Sequence, residues 1–252
     1  MNKKVELVLN ELIKNYLKIH QPISSTYLKE LAQLSMSPST IRGYFQILEK
    51  MGMIEKEHFA SGSYPSTKAM EYYWRENLPI NIKNFSIEIL KEKCEEFNIV
   101  AFIKIFENQV LNEVYNVNNK FIVLEFENDE TVIKYEENLF NLLKSFKYLN
   151  LKELLKFFKH YNLNQLIKNV KNFKKTYIIN QKLLYNNFSE VNFEFLNQVN
   201  KFFINYDKKF IIRKYEIDDN KKEIDIYLIG NIYSDFIKFF DSMKGGENGK
   251  TS

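Results

Sequence analysis

Residues 37–52, SPSTIRGYFQILEKMG, constrain the fold more than any other stretch of the chain. Ser37 can cap a helix, Pro38 occupies the first turn, where a missing N–H costs nothing, and Gly52 supplies a left-handed stop. Between them Ile41, Phe45 and Leu48, with Ile47 or Met51, recur at helical spacing and mark an inward face. Ser39, Arg42, Gly43, Gln46 and Lys50 then share one outward stripe. Gly43 costs about 1 kcal/mol relative to alanine in a helix interior, a penalty that a merely solvated face gives no reason to accept. A missing side chain lets another surface approach, so the stripe suits docking; a tolerated glycine on a solvated face is the plainer alternative.

The flanking sequence shifts that balance. Residues 4–19 place Val5, Val8, Leu9, Leu12, Ile13 and Tyr16 on one stripe of an amphipathic helix, which Gln21-Pro22 ends. Ser24 and Ser25 can cap a shorter second helix whose buried side is predicted to be Tyr27, Leu28, Leu31 and Leu34. After the third helix, residues 53–59 have the composition of a short strand. Residues 60–66, ASGSYPS, form a small-residue tip, and residues 67–74 resume a helical pattern. Three helices, a strand, a tip and a return strand are the ingredients of a winged helix-turn-helix. In that fold the third helix enters a DNA major groove and the tip reaches the backbone or the adjacent minor groove.

Gln21-Pro22-Ile23-Ser24-Ser25, Ser39-Thr40-Ile41-Arg42, Leu48-Glu49, Gly52, and then His58, Gly62, Pro65, Lys68, Tyr72 and Tyr73 resemble the HrcA family of heat-inducible transcription repressors. The resemblance covers residues 1–75. It implies a homodimeric repressor that binds an inverted repeat in double-stranded DNA upstream of chaperone operons and responds to the supply of free chaperonin. It also implies a GAF-like second domain carrying an inserted dimerisation segment, with residues 226–231 running into a last helix as the stretch most similar to it. The chain departs from the family's pattern at Gly43-Tyr44, where the family has Asn-Asp, and at Ser63, where a wing arginine is usual. A lost wing arginine flattens the salt dependence of DNA binding by about one charge.

Composition excludes more than it selects. A formal charge of +4 permits a polyanionic partner without demanding one. The lone Cys94 rules out an intramolecular disulfide framework and fits a reducing, cytoplasmic compartment. Glu6, Asn10, Glu11 and Lys14 interrupt any secretory signal, and no apolar run is long enough to span a membrane. His20, His58 and His160 are scattered, without the spacing of a metal site. Glu95-Glu96 and Glu136-Glu137 are adjacent carboxylates and not a pair arranged about a scissile bond. The tail residues 245–251, GGENGKT, imitate a phosphate loop, but the spacing is one residue short and no helix follows. No cofactor and no enzymatic activity are expected.

Beyond Trp74 the pattern becomes mixed. Residues 99–106, 110–117, 121–126, 176–179, 210–215 and 224–229 are predicted strands, and residues 138–172, 193–204 and 234–243 predicted helices. Between Leu154 and Ser189 there is no acidic residue, yet Lys156, Lys159, Lys168, Lys171, Lys174, Lys175 and Lys182 all occur. That run is either a solvated face or a second phosphate-tracking surface.

The expected fold class is α+β: a winged helix-turn-helix over residues 1–75, a mixed α/β GAF-like regulatory and dimerisation domain over 76–244, and a flexible tail over 245–252. Arg42 leads the candidate DNA contacts, because its guanidinium can bond two acceptors of guanine. Ser39, Thr40 and Gln46 follow it, Gly43 permits close approach, and Lys50 meets phosphate. Ser24, Ser25 and Thr26 open the second helix, where free amides favour phosphate. His58, Ser61, Gly62, Ser63 and Tyr64 supply the wing. A small-molecule-sensing winged-helix regulator and a winged-helix protein-interaction module are the alternatives.

Overall fold

The computed structural model describes residues 2–56, 62–82, 86–218 and 221–244. The expected tail, the end of the predicted strand at 57–59, and the candidates His58 and Ser61 lie outside the described residues. The chain forms two compact units. One comprises Met1–Ala101, Ile178–Tyr215 and Tyr227–Ser252, the other Phe102–Tyr177 and Glu216–Ile226.

The first unit begins with α1 (Lys3–Ile19), α2 (Ser25–Leu31) and α3 (Pro38–Lys50), followed by β1 (Ile54–Glu55), β2 (Tyr64–Pro65) and α4 (Thr67–Asn77). Each of these helices starts on a side chain that satisfies a free amide: Asn2 for α1, Ser24 for α2, Ser37 for α3 and Ser66 for α4. Val8, Leu9, Leu12 and Ile13 of α1 are fully buried, and each such burial contributes about 1.5–3 kcal/mol. In α2 only Leu28 of the expected apolar set is fully buried; Tyr27 and Leu31 are exposed, because seven residues give two turns and only a narrow inward stripe. In α3 Ile41, Phe45 and Leu48 face inward as expected, whereas both Ile47 and Met51 are exposed.

β1 pairs antiparallel with β2, Ile54 opposite Pro65 and Glu55 opposite Tyr64. An isolated bridge between Ile23 and Ser63 extends this ribbon back to the loop between α1 and α2. After α4 the chain forms α5 (Ile87–Glu96) and, later, α9 (Gln181–Asn187), α10 (Phe193–Gln198) and α11 (Phe236–Lys244). The Trp74 indole, in α4, is fully buried, with the Phe236 ring edge-on at 5.4 Å between centroids. Cys94 is also buried, and the loss of solvent pushes its thiol up to about 12.

The second unit holds a three-stranded antiparallel sheet, β4 (Leu111–Val117), β5 (Phe121–Phe126) and β6 (Glu130–Lys134), with α6 (Glu137–Lys144), α7 (Leu151–His160) and α8 (Asn164–Lys171). The helices pack on one face of that sheet: Leu111, Val114, Ile122, Leu124 and Ile133 share a core with Leu143, Leu154, Phe158, Leu166 and Val170. The predicted helical region 138–172 is thus three helices. Tyr148 and Asn162 adopt left-handed φ angles of 68° and 54° at the breaks, and Asn150 starts α7 with a capping box completed by Glu153.

A five-stranded sheet has the order β7-β3-β10-β9-β8, from β3 (Val100–Glu107), β7 (Lys175–Ile179), β8 (Phe202–Asn205), β9 (Phe210–Asp218) and β10 (Lys222–Asn231). The helix expected over 193–204 stops at Gln198, where Val199 turns extended, and Phe202–Asn205 pairs with β9 instead. Aromatic and β-branched residues at 202–204 suit either periodicity over so short a run, and the partner strand decides.

Candidate nucleic-acid interface

The exposed face of α3 is built from its cap outward. Ser37 Oγ accepts from the Thr40 amide at 3.1 Å and lies 2.8 Å from both Ser39 Oγ and Thr40 Oγ1, so three hydroxyls cluster at the helix N-terminus. Ser39, Thr40, Arg42, Gln46 and Lys50 are exposed, and Gly43 is half-buried. A Cβ added at Gly43 would meet nothing within 4 Å among the described residues, so no packing among them requires glycine there. Neither Arg42 nor Lys50 forms an ion pair among the described residues, whereas neighbouring Glu49 is engaged by Lys56 at 2.8 Å. Two uncompensated cations, several hydroxyl and amide donors and a methyl-free window therefore share one helix face.

That face also carries Ile47, 44% exposed, one turn beyond Gly43. Its apolar periodicity assigns it equally well to the core, so sequence spacing alone misses it. On a DNA-facing helix such a side chain suits contact with a thymine methyl.

Other candidates separate. Ser24 Oγ accepts from the Tyr27 amide at 3.1 Å and Thr26 is exposed, while Ser25 is buried. Ser63 is buried too, and its main chain exchanges two 2.9 Å hydrogen bonds with Ile23. A Cβ at Gly62 would lie 2.6 Å from the main-chain atoms of Ile23, so this glycine permits a close backbone crossing. Tyr64 is half-buried, its ring stacked on Tyr16 at 6.4 Å. Ser24, Thr26 and the α3 stripe thus stay open to solvent, whereas Ser25 is buried in α2, and Gly62 and Ser63 are absorbed in holding the ribbon to the α1–α2 loop.

The ribbon and α4 are tied back by further contacts within the first unit. Lys68 Nζ donates to the Met51 carbonyl at the end of α3, and Ser66 Oγ donates to the Gly52 carbonyl at 2.7 Å. Glu71 receives Tyr206 and Arg75; burial would raise its carboxyl, but those hydrogen bonds and the guanidinium hold it below its ordinary range. Among the described residues no group of three or more His, Cys, Asp or Glu could hold a metal, and no helix is long and apolar enough to cross a membrane.

A solved structure described only as a hypothetical protein, at 2.2 Å resolution, shares this fold: it matches 97% of this chain and 96% of its own with a TM-score of 0.55 at 15% identity. Residues 74–247 match the family model of the HrcA C-terminal domain. Over 126 residues, 50% of this chain and 47% of the relative, the sequence is 39% identical to the heat-inducible transcription repressor HrcA of Helicobacter pylori strain 26695. It is 32% identical over 133 residues to that of Chlamydia muridarum, covering 51% of this chain and 33% of the relative. The match spans about half the length of the Helicobacter relative and less of the others. These relatives are transcription repressors by name. The chain belongs to the HrcA family of heat-inducible transcription repressors.

Proposed function

We propose that this protein is a heat-inducible transcription repressor whose residues 1–75 form a winged helix-turn-helix. In this reading α3 enters the major groove and the β1–β2 ribbon is the wing. The observation that carries it is the α3 face, where Arg42 and Lys50, without an ion pair among the described residues, flank the open window at Gly43. Arg42 and Gln46 are base-reading candidates, and Ser24, Thr26, Ser39, Thr40 and Lys50 are phosphate contacts.

An inverted-repeat operator needs two copies related by a two-fold axis. The outward face of the β4–β6 sheet suits a second copy. Val117 lies opposite Phe121, and Tyr115 opposite Val123, which lies opposite Val132; Tyr115, Val117, Phe121 and Val132 are all exposed. Residues 76–244 are then the GAF-like regulatory and dimerisation domain, and chaperonin sets the active fraction by assisting its folding.

Footprinting across chaperone promoters at several salt concentrations tests the reading: protection of an inverted repeat supports it, and uniform, sequence-independent protection removes it. Equal active fractions after refolding with and without chaperonin would remove the regulatory step alone.

A second reading, a ligand-sensing regulator, rests on a cavity of about 630 Å³ in the first unit, lined by Lys18 and His20 from the end of α1, Phe97 and Asn98 after α5, and Tyr233 and Lys238 around the start of α11. Saturable thermal stabilisation by a metabolite would favour it.

A further inference from the structure

Several lysines of the second unit are held in ion pairs. Lys147 pairs with Glu113 at 2.7 Å, Lys152 with Asp218 and Glu223 at 3.2 and 3.1 Å, and Lys175 and Lys222 both with Glu107 at 3.3 and 3.2 Å. Lys156 and Lys159 on α7 and Lys168 and Lys171 on α8 are exposed and form no ion pair among the described residues. Both helices bury their opposite sides, Leu154 and Phe158 on α7 and Leu166 and Val170 on α8, in the one core that covers the three-stranded sheet. Their solvent faces therefore lie on the same outer layer. Each pair is spaced i, i+3, which sets two cations side by side on its helix surface. No acidic residue occurs at 154–189, and Glu153, which opens α7, has its carboxylate engaged by the Asn150 amide in the capping box.

We propose that the outer face of α7 and α8 is a second phosphate-backbone surface, which binds duplex DNA without reading sequence. It rests on the reading of this chain as a DNA-binding repressor, which is what selects DNA over other polyanions. Lysines are strongly hydrated point charges that suit phosphate without base discrimination. Their contribution is counterion release, so it appears in the salt dependence of binding and leaves operator preference alone.

The full chain and a variant with Lys156, Lys159, Lys168 and Lys171 all replaced by Gln are titrated against random-sequence and operator-bearing duplexes over a salt series. The expected result is a shallower slope of log K against log salt, by about 0.9 for each lysine that meets a phosphate, on both duplexes, with the operator footprint unchanged. A Lys→Arg variant at the same four positions retains the wild-type slope, and superimposable circular dichroism spectra show that each variant is folded. Unchanged slopes in the folded Gln variant overturn the proposal while leaving the repressor reading intact. Loss of operator preference in the wild type, with a lysine-dependent slope, does the reverse. Lysine-dependent binding to phosphatidylserine vesicles with no lysine dependence on DNA assigns the face to a membrane and overturns the proposal.

Discussion

The indole Nε1–H of Trp74 donates to the main-chain carbonyl of Ile232 at 2.7 Å, and both residues are fully buried. One hydrogen bond thus joins α4, which follows the ribbon, to the turn between β10 and α11. The adjacent Tyr233 hydroxyl donates to the carbonyl of Pro65 in β2 at 3.3 Å, so the same turn also holds the ribbon itself. Trp74→Phe keeps an aromatic ring but deprives the Ile232 carbonyl of this donor, and a buried acceptor left unpaired costs about 1–3 kcal/mol. Urea unfolding followed by circular dichroism should show that loss as a lower midpoint. In the wild type, the chain's only tryptophan should report unfolding by a red shift in its emission.

Gly62→Ala should destabilise the first unit. The new Cβ would lie 2.6 Å from main-chain atoms of Ile23 and 2.7 Å from that of Pro22, and main chain cannot swing aside as a flexible side chain can. The Ile23–Ser63 bridge must open or the ribbon must shift, at a cost of about 1–3 kcal/mol. Faster amide exchange at Ile23 and Ser63, together with a lower thermal midpoint, would record it.

How much of this was legible in the sequence depends on the range of the determining interaction. α3 was legible because Ser37, Pro38 and the Ile41–Phe45–Leu48 spacing all act within the helix itself, and β5 because residues 121–126 are apolar between Asn-rich turns. α5 carries no such mark: it is rich in Lys and Glu and buries only Leu90 and Cys94, too little for a periodic signal. β8 was hidden because its neighbours share the apolar spacing of α10 and only pairing with β9 fixes it as a strand. In the site, the exposed stripe of α3 followed from helix geometry. The burial of Ser63 did not, since it depends on Ile23, far away in sequence, and nothing local to residues 60–66 encodes that partner.

Cys94 should be chemically silent in the folded protein. Its thiol is raised from 9.0 to about 12, first by burial and then by Glu95, so the neutral form is favoured by folding. A folded-state value above the unfolded one gives stability that is complete below about pH 9 and lost as pH rises toward 12. Tyr73, raised from 10.0 to about 12 chiefly by burial, acts in the same direction over the upper part of that window. Thiol-reactive dyes at pH 8 should label the native protein far more slowly than the urea-unfolded chain, and the urea midpoint should fall as pH is raised above 9. Equal labelling rates in the two states would show that the thiol is not sequestered.

Gly43 and Arg42 separate the needs of the fold from those of the docking face. Gly43→Ala adds a methyl into open space, so it should stabilise the free protein by up to about 1 kcal/mol through helix propensity alone. If α3 lies in a groove, the same methyl stands where another surface must approach, and operator affinity should fall although stability rises. Arg42→Ala removes an exposed guanidinium with no ion-pair partner among the described residues, so it should leave the unfolding midpoint unchanged. Its loss of a base contact should cost about 1–3 kcal/mol of operator binding, roughly 5- to 160-fold in Kd. Opposite signs for Gly43→Ala in thermal unfolding and in anisotropy titration distinguish a face shaped for a partner from one that is only solvated, because no property of the isolated helix yields a variant that is both more stable and a weaker binder.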